Sequence, residues 1–265
     1  SEGTHMLFGG ENTFGGGGGM FCWSSDARIE NCYIASNLTH GSGGGLYLGN
    51  MSYPELKNCL IAGNSAYIDG GGVVSYWSVK PTISNCTIVG NTAAYPYYTD
   101  SSNYGRGGGL SCFYQSRTTL IDTIMWDNTA EFGNQIALGG VTDENLVARQ
   151  AQLNVSFSDI KGWQDQNEPN WIEPSAVYRQ PEAILNWDYD TILDADPCFV
   201  AGYYLSHIAA GQLANSPCID YGSKLAGEAG LDIYTTRVDN VNDTSVLDIG
   251  YHYSGAIPRH TLTIK

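Results

Sequence analysis

The stretch NCLIAGNSAYIDGGG, residues 58–72, decides the fold because variants of it recur through the first half of the chain. Four segments, RIENCYIASN, ELKNCLIAGN, TISNCTIVGN and LIDTIMWDN, align on a final asparagine: Asn37, Asn64, Asn91 and Asn128. These asparagines follow one another after 27, 27 and 37 residues. Repetition with a period of about 20–50 residues is typical of a solenoid, in which each repeat packs on its neighbours.

The second half of each repeat separates two classes of solenoid. The apolar positions before each asparagine also fit the leucine-rich repeat, which would continue into a helix or 3-10 segment. Each repeat instead continues with glycines and strand-forming residues, in GGGGMFCW, GGGLYLGN, GGGVVSYW and GGGLSCFY. Coils made of short strands and turns predict an all-β parallel β-helix, with coils stacked about 4.8 Å apart. The recurring asparagines then predict a hydrogen-bonded ladder along the stack.

The coils resemble those of bacterial right-handed parallel β-helix repeat proteins, which read like "NCTISGNSA…GGGIY". The tail DADPCFV…SPCIDYGS…VLDIGYHY is similar to the C-terminal closing region of the same proteins. The resemblance implies a right-handed parallel β-helix with an irregular C-terminal cap region. Function does not follow from it, because such proteins include lyases, hydrolases, adhesins and binding modules.

The domain organisation follows from where the repeat is regular. Residues 1–6, SEGTHM, are expected to be a purification-tag remnant. Residues 7–160 are predicted to form the repeat coils, and residues 161–265 the final irregular coils and cap of the same domain. No amphipathic capping helix opens the natural stretch, and HTLTIK reads as the start of another strand, so we expect a longer natural protein.

Composition excludes several partners. With 12 basic and 27 acidic residues, the formal net charge of -15 disfavours nucleic acid, anionic lipid and polyuronates. No apolar window approaches the ~18 residues of a membrane span. A chain with 33 glycines, 18 tyrosines and many small polar residues presents a neutral, hydrogen-bonding surface that suits sugars. We therefore expect a secreted or cell-surface protein.

Catalytic and metal motifs are not recognisable. The paired Asp-Asp and the Gly-His-Gly motif of β-helix polygalacturonases are missing. The histidines do not have the spacing of metal ligands, and the sequence contains no Cys-x-x-Cys. Two acidic groups stand out: Asp188, Asp190, Asp194 and Asp196, and Asp239, Asp243 and Asp248. Alternating carboxylates of the first group could bind calcium, but no calcium-loop template is matched, and solvated loop acids and turn caps are the favoured interpretation. Cys32, Cys59 and Cys86 read as small buried residues. A disulfide between Cys198 and Cys218 is left open.

Aromatic residues supply the candidate binding surface. The fourth repeat is longer by ten residues, in the insertion TAAYPYYTDSSNYGR at 92–106, and solenoid insertions often form binding loops. Its candidate ligand-binding residues are Tyr95, Tyr97, Tyr98, Asp100, Tyr104 and Arg106. A second group follows each glycine run and predicts a stripe along the helix axis, with core packing as the alternative; its members are Trp23, Tyr53, Tyr76, Trp77, Phe113 and Tyr114.

These features favour a non-catalytic carbohydrate-binding module of a larger secreted glycan-degrading enzyme. The architecture is similar in kind to β-helix carbohydrate-binding modules associated with xylanases, which makes xylan the first expected ligand, with related β-glycans next. An alternative is a polysaccharide lyase or glycoside hydrolase with an unrecognised site, built from Asp69, Asp100 and Arg106. A surface adhesin or structural β-helix is the third possibility. Glycan binding without sugar release separates the first from the other two.

Overall fold

The structure is a computed structural model that describes residues 16–94, 105–139, 150–164, 166–167, 175–180 and 182–254. Its described part winds into a right-handed parallel β-helix. Each full coil passes through four sheets, named A, B, C and D in the order in which the chain meets them. Strands of successive coils pair in parallel, so every sheet runs along the helix axis.

The first three coils contain twelve strands with the same spacing. The first coil has β1 (Met20–Trp23), β2 (Arg28–Glu30), β3 (Tyr33–Ala35) and β4 (Leu38–Thr39). The second has β5 (Leu46–Gly49), β6 (Glu55–Lys57), β7 (Leu60–Ala62) and β8 (Ser65–Ala66). The third has β9 (Val73–Tyr76), β10 (Thr82–Ser84), β11 (Thr87–Val89) and β12 (Thr92–Ala93).

The following coils become less regular. The fourth has β13 (Leu110–Cys112), β14 (Arg117–Ile121), β15 (Ile124–Trp126) and β16 (Thr129–Ala130). The fifth has β17 (Ile136–Leu138), β18 (Gln152–Ser156) and β19 (Ser158–Ile160); β20 (Gln166–Asn167) then pairs at the edge of sheet A. The sixth has β21 (Val177–Arg179), β22 (Ile184–Trp187) and β23 (Ile192–Leu193), which extend sheets A, B and C beyond residue 160.

Apolar residues of the repeat meet inside the coil. Three inward columns, one from each of sheets A, B and C, fill the core; they are Leu46, Val73, Leu110 and Ile136, then Ile29, Leu56, Ile83 and Leu120, then Ile34, Ile61, Ile88 and Met125. Side chains at one repeat position therefore stack on their equivalents in the next coil. Cys59 and Cys86 are fully buried as predicted, but Cys32 is only partly buried, so the prediction of a buried residue is wrong there.

The asparagine ladder is confirmed. Asn37 donates to Asn64, Asn64 to Asn91 and Asn91 to Asn128, with side-chain distances of 2.8, 2.9 and 2.9 Å. Gln135 ends the ladder by accepting from Asn128 at 2.7 Å. Because the donors also reach backbone carbonyls of the neighbouring sheet, the ladder satisfies polar groups that the turn buries.

The glycine runs form a stacked corner between sheets D and A. A Cβ on Gly71 would lie 2.5 Å from the Thr92 carbonyl, and one on Gly44 would lie 2.3 Å from the Gly71 carbonyl oxygen. Such contacts exclude any side chain, which explains why each repeat carries several glycines at this corner. A strand follows the corner in each coil, so the helical half of a leucine-rich repeat is not present there.

The C-terminal segment folds back along the stack. It contains β24 (Phe199–Val200), β25 (Tyr204–Leu205), the 3-10 turn Ile208–Ala210, the helix α1 (Ala226–Ala229), β26 (Tyr234–Thr235) and β27 (Tyr253–Ser254). Residues 250–252 then bond to successively earlier coils: the Gly250 N–H to the Asp122 carbonyl, the Tyr251 N–H to the Thr87 hydroxyl, and the His252 N–H to the Asn58 side chain. The tail therefore clamps the fourth, third and second coils together.

Two cysteines in this region are free thiols. Cys218 donates to the Asp159 carboxylate at 3.2 Å, and Cys198 donates to the Asp196 carbonyl at 3.3 Å. The pairing that the sequence left open is therefore not formed in the structure.

Candidate functional site

The turn that follows sheet A is the first feature of the candidate site. In three successive coils it has two consecutive residues with left-handed backbone, at 50–51, 77–78 and 114–115, called here the aromatic turn column. Backbone hydrogen bonds stack it, for example from the Met51 N–H to the Trp77 carbonyl at 2.9 Å. The turn follows the same register position of sheet A in these three coils, so the side chains of the column share one edge of the β-helix.

The residue types in this column are unusual for their backbone. Trp77 has a φ of 56° and Tyr114 a φ of 50°. A residue with a Cβ costs roughly 1–2 kcal/mol in this region, and glycine or asparagine is the usual solution. Elsewhere in the coil the chain uses that solution, with Gly63 and Gly90 in the turn after sheet C. Retention of large rings at 77 and 114 points to a role outside the turn itself.

The rings form a continuous patch along the edge. Trp77 lies between Trp23 and Tyr114, with ring centroids 6.1 and 6.4 Å away. Gly49 of the second coil pairs with both Trp23 and Tyr76, and a Cβ on it would meet the Trp23 ring at 2.9 Å. The glycine therefore gives the Trp23 indole room to extend over the second coil towards Trp77.

Exposure divides the predicted stripe into surface and packing. Trp77 is 49% exposed and Trp23 36%, whereas Phe113 is 3% exposed. Tyr76 and Tyr114 are half-buried and in contact, with ring centroids 4.5 Å apart. The predicted stripe is therefore mixed. The two tryptophans face solvent, whereas Phe113 is buried and packs against Arg106.

The phenols beneath the patch stay neutral. Burial raises the pKa of Tyr76 above its ordinary value, and the nearby Tyr114 hydroxyl raises it further. Burial also raises the pKa of Tyr47, with an added contribution from the Asp69 carboxylate. Tyr47 packs on Phe21 and on Tyr76, with centroid distances of 5.1 and 6.0 Å. These hydroxyls offer hydrogen bonds without charge.

A pocket of about 180 Å³ opens in the aromatic turn column. Its lining residues are Asn50, Met51, Trp77, Ser78, Tyr114 and Gln115. Ser78 donates to the Gln115 side-chain oxygen at 3.1 Å, and the Asn50 amide donates to Ser24. The pocket therefore combines two aromatic rings with amide and hydroxyl groups, and none of its lining residues carries a charge at neutral pH.

Tyr53 does not lie in the stripe. Gly49 occupies the stripe position of the second coil, and Tyr53 follows the left-handed turn. There its N–H donates to Asp26 at 2.7 Å, and Lys80 lies over its ring at 5.1 Å. The predicted alignment of Tyr53 with Trp23 and Tyr76 was wrong, because Gly49 pairs with both of those residues and Tyr53 comes after the left-handed turn at residues 50–51.

Arg106 and Asp69 form an ion pair beside the patch. Arg106 donates to both Asp69 oxygens, from Nε at 2.9 Å and from the terminal nitrogen at 2.8 Å. Its guanidinium also stacks on the Phe113 ring at 4.2 Å. Both side chains are mostly buried. The pair that the enzyme alternative required is thus committed to internal contacts that support the aromatic side of sheet A.

The remaining residues predicted for the site, Tyr95, Tyr97, Tyr98, Asp100 and Tyr104, lie outside the described part of the chain. Asp100 was also the third member of the suggested catalytic group. Their roles in ligand binding stay predictions.

The acidic group considered for calcium, Asp188, Asp190, Asp194 and Asp196, is exposed. Asp194 accepts a hydrogen bond from the Gly162 N–H, and Asp196 accepts one from the Cys198 N–H. Within the described ranges, the one group of at least three possible metal ligands is Asp243, Asp248 and His252. That group is buried in the cap.

The cap cluster does not fit calcium. His252 Nε2 lies 3.0 Å from Asp243, whose carboxylate also accepts from the Asp248 N–H at 2.8 Å. Asp248 in turn accepts from the Asp220 N–H and from Thr236. Calcium takes six to eight oxygen ligands, whereas these oxygens already accept hydrogen bonds and the third ligand is a nitrogen. The arrangement is better suited to holding the cap together.

Comparison with known proteins agrees with this architecture. A family model described as a right-handed β-helix region matches residues 8–121, which includes the coils that hold the aromatic turn column. The chain therefore has the right-handed parallel β-helix fold. Searches of curated proteins and of solved structures give no significant match. Since this fold serves many functions, the function has to be argued from the site. No helix in the described ranges is long and apolar enough to span a membrane.

Sequence reasoning missed part of this site. Asn50, Met51, Ser78 and Gln115 line the pocket, yet none of them was a candidate. The available signal was their place directly after the strand of sheet A, since a turn that recurs in every coil brings its side chains to one edge. Of these four residues, only Asn50 belongs to a residue type that favours left-handed backbone, so the other three carried no such signal in the sequence.

Proposed function

We propose that the chain is a non-catalytic carbohydrate-binding module that holds a neutral plant polysaccharide, with xylan the first candidate. The observation that carries the proposal is the exposed Trp77 ring, held in left-handed backbone between Trp23 and Tyr114. Sugars present a CH-rich face that stacks on aromatic rings, and their hydroxyls pair with neutral amides and hydroxyls. A rigid β-helix presents these groups in fixed positions, which reduces the entropy lost on binding.

The charge distribution supports a neutral ligand. The formal net charge is -15, so an anionic glycan would be repelled at long range. The pocket lining adds no cation that would compensate. We further propose that the chain is secreted or cell-surface, and that it serves a larger glycan-degrading enzyme by keeping it on its substrate.

Retardation in native gels cast with soluble xylan, β-glucan, mannan or pectin tests the proposal. Trp77→Ala is the test variant, and Tyr33→Ala is its matched control, because Tyr33 is a 66% exposed aromatic on the separate sheet C. Reducing ends are measured in parallel.

We expect retardation by a neutral glycan, loss of at least about 10-fold in affinity for Trp77→Ala, and no change for Tyr33→Ala. Released sugar would indicate an enzyme instead. Failure of every glycan to retard the protein would favour the adhesin or structural alternative.

A further inference from the structure

The pocket in the aromatic turn column has a limited length along the helix axis. Its lining residues come from the second, third and fourth coils, at Asn50, Trp77 and Tyr114. Two coil spacings of about 4.8 Å separate the outer turns, so the pocket spans roughly 10 Å. That length is comparable to one disaccharide unit of an extended β-linked glycan.

The planes of the rings also limit what can stack. The Trp77 ring is inclined by 45° to Trp23 and by 53° to Tyr114. A long, straight glycan needs platforms with nearly parallel faces to stack on several of them at once. A chain that lies flat on Trp77 leaves Trp23 and Tyr114, the rings on either side of it along the axis, at a steep angle. The nearly parallel ring, Tyr76 at 13°, belongs to the same coil as Trp77 and is half-buried, so it adds no second platform along the axis. One stacking interaction, with side contacts from the two neighbours, is therefore the geometry available.

Polar groups at both ends of the pocket complete a short site. Asn50 lies at one end and Gln115 at the other, with Ser78 bonded to Gln115. Amides of this kind are both donors and acceptors, which matches the dual character of sugar hydroxyls. Ser78 and Gln115 share their turns with Trp77 and Tyr114, and Asn50 occupies the equivalent turn one coil earlier. A pyranose on Trp77 and its neighbour would therefore be within reach of all three.

From these three observations we propose that the pocket binds a disaccharide-length segment of a neutral, pyranose-based glycan, with Trp77 stacked on one sugar ring. This inference rests on the proposed carbohydrate-binding function and makes it narrower. Long polysaccharides would be held one short segment at a time, and the affinity of the module would not depend on an extended, ordered chain.

Calorimetric titration with a length series of β-1,4-linked xylose oligomers, from one to six units, tests the inference; glucose and mannose oligomers follow if xylose oligomers do not bind. We expect affinity to rise by about 10-fold or more from one unit to two, and to stay within about three-fold from two units to six. The small further gain reflects the additional registers that a longer oligomer offers.

Variants make the result specific to the pocket. Trp77→Ala should reduce the affinity for the dimer and the hexamer by the same factor, because both use the same stacking interaction. Tyr33→Ala should leave both unchanged. Thermal unfolding of each variant confirms that it is folded.

A continued rise of about 10-fold or more from two units to six would overturn the inference and indicate an extended platform, while the proposed function stands. Retardation by polysaccharide without binding of any short oligomer would also overturn the inference and leave the proposed function standing. If neither polysaccharide nor oligomer binds, the proposed function itself fails.

Discussion

The aromatic turn column and a second column of turn residues solve the same backbone problem in opposite ways. The second column, Asn31, Asn58, Asn85 and Asp122, links sheets B and C and is called here the asparagine turn column. Its φ angles, between 50° and 55°, are close to those of Trp77 and Tyr114. Asparagine and aspartate tolerate this conformation because their short polar side chains bond locally.

The two columns differ in what their side chains contact. Asn58 is 1% exposed, donates to Asn31 at 2.8 Å and is bonded to His252 of the tail in both directions. Trp77, by contrast, is half-exposed and contacts other rings at the edge of the pocket. In the asparagine turn column, left-handed residues such as Asn58 make hydrogen bonds that stabilise the fold. In the aromatic turn column, Trp77 has the cost of left-handed backbone while its ring stays half-exposed.

The largest effect is expected at the ion pair that supports the aromatic side. Arg106→Met leaves the buried Asp69 carboxylate without its partner, which should lower the free energy of unfolding by about 3–5 kcal/mol. Urea denaturation measures the loss. The double variant Asp69→Asn/Arg106→Met should recover much of it, since no charge is then buried alone. Equal instability of the single and double variants would show that packing of Arg106 on Phe113 dominates.

Asn58→Ala tests the asparagine turn column. The alanine loses three side-chain hydrogen bonds and has to adopt a left-handed backbone, so we expect a loss of about 2–4 kcal/mol in the free energy of unfolding. Asn58→Gly keeps the backbone favourable and isolates the hydrogen bonds. Chemical denaturation compares the two. A loss below about 1 kcal/mol for both would mean that the tail does not depend on this contact.

Asp159→Asn tests the buried contact between cap and coils through its pH dependence. Burial raises the pKa of Asp159 to about 6, against hydrogen bonds from Cys218 and the Ala195 N–H that lower it. Between about pH 4 and pH 6 the folded protein holds a proton that the unfolded chain has released. Its contribution to stability therefore falls as pH rises through this window and is constant above it.

The variant lacks this titration. Its stability relative to the natural sequence should rise by on the order of 1–3 kcal/mol between pH 4 and pH 7.5, measured by urea denaturation at each pH. Asp188→Asn, at an exposed aspartate, is the control and should show no such change. If the difference in stability between Asp159→Asn and the natural sequence did not change with pH, the raised pKa of Asp159 in the folded protein would be contradicted.

The smallest effect on stability, and the sharpest contrast, is expected for Trp77→Gly. Glycine removes the cost of the left-handed backbone, which offsets the lost ring contacts, so the free energy of unfolding should change by less than about 1 kcal/mol. Glycan retardation should nevertheless disappear. A loss above about 2 kcal/mol would mean that Trp77 is a packing residue, as Asn58 is in the other column.

Parts of the fold that depend on local repetition were predictable. The asparagine ladder follows from one residue type at one position, since in-register coils bring equal positions together. The glycine corner was visible for the same reason. Which residues of the aromatic stripe are exposed could not be predicted. Trp23 and Phe113 both follow a glycine run, but Arg106 covers the Phe113 ring.

By itself the sequence determined that the chain forms stacked coils and which repeat positions line up in columns, because a short repeat imposes the same contacts in every turn. Tertiary structure alone decided that residues 250–252 bond to the second, third and fourth coils, since those contacts join positions up to 194 residues apart. It also decided which aromatic residues face solvent. Exposure depends on neighbours from other coils and on turn conformation, and neither is encoded in the spacing of the residues.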